Sequence, residues 1–541
     1  MSGAKRSIFF LGERSERGCG KRHRGSTEVV ADFLLDSGRC RSNLTRGSGY
    51  SIGRSASSER ATTGWSLPHG LTGRCYPNVG RAVTTSGETT QQLAAFASEI
   101  DAAEVPQSVR TTQKAVIVDA IACAIATRAA DVPIAELAAA ASAAGLGEVG
   151  QIFASGRSAP ALAAYVNGAL IHALVFDAAG ATGAHLGMIA LAPVLAAAEC
   201  LETPPSGADF LAASIAASEV HARLVRVARG PSRVGEAGWL DGQLLGAIGA
   251  CAGAGRVLGL SPEEMDSAYG LAMMQSSGTR ELIRGGEPPL KALYGGPANL
   301  AGVLAALLAD SGVDARCDAV GGEFGLLSGW FGCENVSGVT EGLGEHWVGA
   351  EVHFKEWPAT GIVQPYVQAA RSLRAECGLD SAEISRVLLS APREEVRWIE
   401  PLVERLAPPH AALATNSIPF ALGCALVDGE LWLESLSTAG LRRPEVRRVL
   451  DRLEVRLVET RREALLEVTL RSGETFAAAV FTDRTDNFGT LAEGDVVAKL
   501  RRCNSSSPRP LSEEALVRIC SLVEELEQLS SCSELVQLLV G

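Results

Sequence analysis

Apolar residues recur at helical spacing from residue 89 onward. Leu93, Phe96 and Ile100 share one face of such a helix, whereas residues 115–126 are apolar on several faces. A helix that is apolar on most of its surface is typical of a buried position. Helix signals with Gly, Pro or Ser near the ends predict further helices at residues 160–174, 191–201, 207–229, 242–258, 262–276 and 298–310.

Beyond residue 353 the apolar pattern changes to an alternation of period two. The Ser472-Gly473 pair between two alternating runs predicts a β-hairpin, and Ser512 is a good capping residue for a final helix. The chain is therefore predicted to be mainly α, with a large all-helical domain and a smaller α+β domain. Strands are predicted at residues 386–390, 453–457, 466–470 and 475–480.

Residues 1–87 differ from the rest because they are rich in Ser, Gly and Arg and show no sustained period. We interpret them as a disordered N-terminal extension; a transit peptide is the alternative, but the six acidic residues argue against it. A chain of 541 residues is too long for one ordinary core. We divide the remainder into a helical domain, an α+β lid domain and a C-terminal return to the helical domain, at residues 88–353, 354–485 and 486–541.

The charge and the cysteines narrow the possible partners and location. The net charge is −13, although residues 1–87 alone hold 14 Lys and Arg against 6 Asp and Glu. The acidic remainder lacks the cationic surface that phosphate contacts need, so we expect no nucleic-acid partner. Thirteen cysteines without a CxxC pair favour reduced thiols. We predict a cytoplasmic location and leave organellar import open.

The longest uncharged stretches do not predict a membrane span. Residues 186–200 are apolar, but they include Gly187 and Pro193 and are shorter than the ~20 residues that cross a bilayer. We interpret this stretch as part of the core of a soluble protein, with no membrane partner.

Asp177 and His185 are the first candidates for chemistry because they interrupt a long apolar run. The residues between them, 178–184, are only Ala, Gly and Thr, so this loop can approach a ligand closely. A carboxylate and an imidazole in an apolar setting can act together as general base or acid. The alternative is that Asp177 caps a helix and His185 is a satisfied core residue. For His172, in the same run, we expect a packing role.

Two lysines are candidates for binding an anion. Lys291 lies in a Gly-rich, weakly charged loop, and Lys355 lies between aromatic residues where the pattern changes. A lysine in such a setting can bind a carboxylate as a point charge, and a domain junction is a favoured place for a ligand. The alternative for each is an ordinary surface lysine. The histidines are dispersed and no HExxH, Walker or GxSxG motif occurs, so we expect no metal, nucleotide or flavin cofactor.

Several segments together resemble the MmgE/PrpD family, over residues 88–541. They are the Asn-Gly…His…Phe-Asp segment that starts at Asn167, the lysine-led Gly/Ala segment from Lys291 to Gly302, the Phe354-Lys-Glu-Trp-Pro-Ala motif, the segment that starts at Val480, and the C-terminal helix.

The resemblance implies a helical domain with an inserted α+β lid, a homodimer, no organic cofactor, and a site between the domains for a di- or tricarboxylate. His185 then stands at the catalytic histidine, and Lys291 and Lys355 at carboxylate-binding positions.

The chain departs from the family pattern at several proton-handling positions. The first acid of the family's Asp-Phe-Asp-Asp-Thr motif is Val175, and the Asp-Thr pair that ends it is Ala178-Ala179. A second active-site histidine is replaced by Leu240, and the tyrosine of the lid by Trp398, which we take as a substrate-binding residue. Asp177 is the acid that remains in the motif.

Three functions remain open from the sequence. The first is a lyase, a dehydratase or decarboxylase, in which His185 moves the proton, Asp177 supports His185, and Lys291 and Lys355 stabilise an enolate. The second is an epimerase or isomerase that uses the same proton abstraction, as the iminodisuccinate epimerases of the family do. The third is a homologue that binds a ligand without catalysis.

Deleting residues 1–87 should leave the melting temperature unchanged, because an aperiodic polar segment adds nothing to an apolar core. Thermal denaturation of the full-length and truncated chains tests this expectation. A clear loss of stability on truncation would show instead that the segment belongs to the fold.

Overall fold

Helices form most of the structure, a computed structural model that describes residues 88–144, 149–151, 154–230, 238–283, 290–480 and 490–540. These residues lie within one compact unit. The predictions for residues 1–87, for most of the segment that starts at Val480, and for the boundary at residue 485 fall outside the described residues.

The first ten helices form what we call the helical body. All six of the further helices predicted are present: four agree with the predicted bounds to within two residues, and two differ by more. The helix predicted at residues 191–201 begins at Gly187, because a fully apolar run carries no start signal. The helix predicted at residues 242–258 is interrupted at Leu245. The helices are α1 (Glu88–Glu99), α2 (Gln107–Thr127), α3 (Ile134–Ala144), α4 (Pro160–His172), α5 (Gly187–Ala198), α6 (Gly207–Ala228), α7 (Asp241–Leu244), α8 (Gly246–Leu258), α9 (Pro262–Gln275) and α10 (Gly296–Asp310).

The centre of the helical body is α5, in which every residue is buried. It packs against α4, α6 and α8, and α8 packs in turn against α10. Glycines allow these close approaches: a Cβ built on Gly302 of α10 would lie 2.5 Å from the Ala250 Cβ and 2.6 Å from the Cys251 backbone nitrogen of α8. The small side chains of this sequence therefore bring helices together at short range.

After the helical body the chain forms the α+β segment, residues 352–480, as the change of period predicted. Its four-stranded sheet has the order β6 (Leu453–Val458), β5 (Ile384–Pro392), β7 (Leu465–Leu470), β8 (Thr475–Ala479). Strands β5 and β6 are parallel, and the other pairs are antiparallel. Gly473, with a φ of 90°, turns β7 into β8, which confirms the predicted hairpin. The elements are β4 (Val352–Lys355), α11 (Gln364–Cys377), β5 (Ile384–Pro392), α12 (Leu402–Leu406), α13 (Ala411–Ala414), α14 (Ile418–Asp428), α15 (Pro444–Leu450), β6 (Leu453–Val458), β7 (Leu465–Leu470) and β8 (Thr475–Ala479).

The C-terminal part returns to helix, as predicted. Ser512 accepts a hydrogen bond from the Ala515 backbone N–H and so caps α17, whose Leu516, Ile519 and Val523 are buried. The elements are β9 (Thr490–Leu491), α16 (Val496–Ser506), α17 (Glu513–Glu524) and α18 (Ser533–Val540). Helix α16 packs against α2 of the helical body.

A small antiparallel sheet joins all three parts of the chain. It has the order β3-β4-β9, where β3 (Ala179–Gly180) belongs to the apolar run and β9 precedes the C-terminal helices. A separate two-stranded sheet pairs β1 (Val149–Gln151) with β2 (Ala154–Ser158). Because β4 is the central strand of the joining sheet, Lys355 at its end lies beside the apolar run.

Among the described residues, one stretch is long and apolar enough to cross a membrane, Leu290–Asp310. Two thirds of its apolar window (67%) is buried inside the protein, and α10 within it packs against α4, α8 and α9. This burial is typical of a core helix.

Gly302→Ala should lower the free energy of unfolding by about 1–3 kcal/mol, because the added methyl group would press on α8. Urea denaturation measures the change. Gly494→Ala is the matched control, since no atom lies within 4 Å of a Cβ at that glycine. Equal stabilities of the two variants would contradict tight packing of α10 on α8.

Candidate active site

A cavity of about 760 Å³ opens where the helical body meets the α+β segment. Four of the sequence-predicted site residues line it: His185, Lys291, Lys355 and Trp398. Asp177 lies directly behind the cavity wall and is fully buried. The structure therefore brings the predicted residues together, although they are more than 200 positions apart in the chain.

Asp177 contacts His172, and His172 contacts His185. The Nδ1 of His172 and the Oδ1 of Asp177 are 2.8 Å apart, and both side chains are buried. The ring centroids of His172 and His185 are 4.3 Å apart in an edge-to-face arrangement. The expected support of His185 by Asp177 thus runs through His172. We expected a packing role for His172; its ring is buried and packs on the rings of His185 and Tyr294, and it also lines the cavity.

Burial keeps both imidazoles neutral near pH 7. It lowers the pKa of His172, although Asp177 opposes this shift, and it lowers the pKa of His185 well below its usual value, with His172 and Lys355 adding to the effect. For Asp177, burial works to raise the pKa, but His172 and Lys355 hold it below its usual value. The group is a carboxylate, and it accepts a hydrogen bond that the Nδ1–H of His172 donates.

Two buried lysines hold the backbone from Val175 to Ala178, which we call the active-site turn. The Nζ of Lys355 donates to the carbonyls of Val175 (2.7 Å) and Asp177 (2.8 Å). The Nζ of Lys499, on α16, donates to the carbonyl of Phe176 (2.9 Å). These bonds satisfy three consecutive carbonyls that the surrounding apolar core could not.

The active-site turn also contains an unusual backbone conformation. Val175 has a φ of 53°, in the left-handed region that a β-branched residue rarely adopts. Such a conformation costs about 1–3 kcal/mol and is typical of functional sites. It turns the chain after α4 so that the Asp177 side chain reaches back to His172.

Lys291 is the second lysine that lines the cavity. Its Nζ lies 2.5 Å from the Oδ1 of Asn416, whose amide nitrogen donates to the Ala412 carbonyl and to the Thr415 hydroxyl. Burial, together with the nearby charges of Arg405 and Lys355, lowers the pKa of Lys291 to about 7. A bound carboxylate would supply the negative charge that this environment lacks.

Three positions where the chain departs from the family pattern lie close to this cavity. Leu240 and Ala179 line it with apolar surface, and Trp398 lines it from the α+β segment with the guanidinium of Arg397 3.9 Å above its ring. The cavity therefore has apolar residues at these positions in addition to the cationic side chains of Lys291 and Lys355.

The sequence analysis missed several residues of the site. Tyr294 lies one turn after Lys291, and its ring centroid is 4.8 Å from that of His172. Asn416 and Lys499 come from distant segments, and no local pattern distinguishes them, whereas Asp119 is the one charge in the apolar run of residues 115–126. The position of Tyr294 in the same Gly-rich segment as Lys291 is the signal that could have identified it.

His172, Asp177 and His185 are also the described residues that could hold a metal ion, since one potential ligand atom of each lies within 4.8 Å of the others. One feature opposes a cation here: Lys355 and Lys499 place positive charge near the Asp177 carboxylate. The arrangement favours proton transfer over metal binding.

Comparisons with known proteins agree with the sequence resemblance. Residues 91–338 match the MmgE/PrpD N-terminal domain and residues 357–521 the MmgE/PrpD C-terminal domain. The chain is 27% identical over 406 residues to the human cis-aconitate decarboxylase, covering 71% of this chain and 80% of that protein. It is 28% identical over 380 residues to the cis-aconitate decarboxylase of Aspergillus terreus, covering 66% and 76%.

Lys291→Met should stabilise the protein most at low pH. Burial lowers the folded-state pKa to about 7 from 10.5, so the cost of a charged Lys291 is complete below pH 7 and disappears as the pH rises toward 10.5. Urea denaturation of wild type and variant at pH 6 and pH 9.5 tests this. A stability difference that does not shrink with rising pH would contradict the assignment.

Proposed function

Since the chain belongs to the MmgE/PrpD family, we propose that it is a lyase that needs no organic cofactor and acts on a small di- or tricarboxylate of the methylcitrate or aconitate type. The observation that carries this proposal is one cavity in which a neutral imidazole, His185, faces the ammonium groups of Lys291 and Lys355. Cis-aconitate, the substrate in the names of the relatives, is the first compound to test.

In a dehydration, His185 removes a proton from the carbon next to a carboxylate. The electron pair of the broken C–H bond moves into the carboxylate to give an enolate, which Lys291 stabilises. The enolate then expels a hydroxyl group from the neighbouring carbon, and a C=C bond forms. The proton and the hydroxyl group leave together as water.

In a decarboxylation, the bond between the substrate and one carboxylate breaks, and CO₂ leaves. The electron pair stays on the substrate and takes up one proton, for which His185 must be protonated. Bound carboxylates raise the pKa of the imidazole, and Asp177 stabilises the added charge through His172. Both branches therefore use the same residues in opposite protonation states.

An epimerase is the second candidate, favoured by apolar residues that line the cavity. Leu240 and Ala179 line the wall where the family pattern has proton-handling groups. A site with fewer such groups suits a reaction that removes and returns one proton without expelling a leaving group. A homologue that binds without turnover is the remaining outcome of the test.

Proton NMR in deuterated buffer should show conversion of at least one of cis-aconitate, 2-methylcitrate and citrate, with loss of CO₂ or water. Deuterium incorporation into iminodisuccinate, without loss of either, would replace the lyase by the epimerase. Silence across all four compounds would contradict both.

His185→Ala should lower kcat on any substrate found by about 10²–10⁴-fold, the usual contribution of a general acid or base. The matched control is His346→Gln, because His346 is an exposed histidine that does not line the cavity. Unchanged turnover by the His185 variant would overturn the assignment of the site.

A further inference from the structure

We infer that Lys499 and Asp119 are a positioning pair, buried beneath the cavity, that aims Asp177 at His172. This inference rests on the proposed function only for its kinetic consequence. The pair does not line the cavity. Asp119 lies on α2 and Lys499 on α16, 380 positions apart in the chain.

The pair is hydrogen-bonded to the active-site turn. Lys499 Nζ and Asp119 Oδ1 are 2.6 Å apart, and both side chains are buried. Lys499 also donates to the Phe176 carbonyl, while the other oxygen of Asp119 accepts the Ala178 backbone N–H at 2.7 Å. The pair therefore binds the active-site turn on both sides of Asp177.

Placing these two charges in an apolar core costs free energy of desolvation. A buried ion pair is seldom a net gain in stability over apolar residues of the same volume. The ammonium group also lies 3.5 Å from the centroid of the Phe176 ring, which adds a third contact to the same turn. The hydrogen bonds and the ring contact of the pair that reach beyond α2 and α16 in the described structure go to the active-site turn, which indicates a role in holding that turn.

The pair also fixes the orientation of the peptide group that precedes Asp177. Lys355 fixes the carbonyls of Val175 and Asp177, but the Phe176 peptide between them is fixed by Lys499. Rotation of that peptide would move the Asp177 side chain away from Nδ1 of His172. Without the pair, His172 would lose the acceptor that selects its Nδ1–H tautomer.

The test compares two double variants. Each removes both charges of a buried ion pair but keeps a side-chain oxygen that can accept the backbone N–H. Lys499→Met with Asp119→Asn alters the positioning pair. Arg223→Met with Glu219→Gln alters a buried pair that holds residues 339–349, none of which lines the cavity. Neutralising both partners avoids an uncompensated buried charge in either variant.

The decisive measurement is the ¹⁵N spectrum of the histidine side chains near pH 7, with the His172 signals assigned from a His172→Gln variant. Wild type should show a single Nδ1–H tautomer of His172. The Lys499/Asp119 variant should show a mixture of tautomers, and the Arg223/Glu219 variant should keep the wild-type spectrum. This spectrum needs no substrate, so it decides the inference even if the proposed function fails.

The kinetic consequence is specific as well. On a substrate of the wild type, the Lys499/Asp119 variant should lose about 10²-fold in kcat with KM within about twofold, because the base is misaligned while the carboxylate contacts remain. An unchanged His172 tautomer in that variant overturns the inference, whatever happens to kcat. The same tautomer change in the Arg223/Glu219 variant also overturns it.

Discussion

The structure depends on the hydrogen bonds that two buried lysines make to the active-site turn. An ammonium group taken out of water loses several kcal/mol of hydration unless its N–H groups are satisfied. Lys355 is satisfied by two backbone carbonyls, and Lys499 by one carbonyl and the carboxylate of Asp119. These carbonyls would otherwise be orphaned in an apolar core, so the lysines and the turn each remove part of the other's penalty.

This mutual requirement ties the three parts of the chain together. Lys355 ends β4 at the start of the α+β segment, Lys499 lies in the C-terminal helix α16, and the turn follows α4 of the helical body. The joining sheet β3-β4-β9 repeats the same connection in the backbone. The cavity is thus formed by segments from distant parts of the chain, which this connection holds together.

The helices, the hairpin and the cavity residues His185, Lys291 and Lys355 could be predicted because each leaves a local signal. Period, capping residues and isolated charges in apolar runs are all visible within a short window. Lys499 could not be predicted, because it is one charged residue in an ordinary helix and its pairing arises from tertiary packing. Asp119 did leave a local signal, since it is the one charge in the apolar run of residues 115–126, but the run does not show what the carboxylate will meet. The same holds for His172, because a histidine in an apolar run gives no sign of which side chain its ring will meet.

The left-handed backbone at Val175 bears on how the site can change over time. A valine is poorly suited to that conformation, whereas aspartate and asparagine adopt it several-fold more readily. The backbone at this position therefore suits an aspartate better than the valine that occupies it. Adding a polar group to a buried turn usually sacrifices stability. A Val175→Asp change would relieve backbone strain while it adds a buried carboxylate, so the relief would offset part of the desolvation cost.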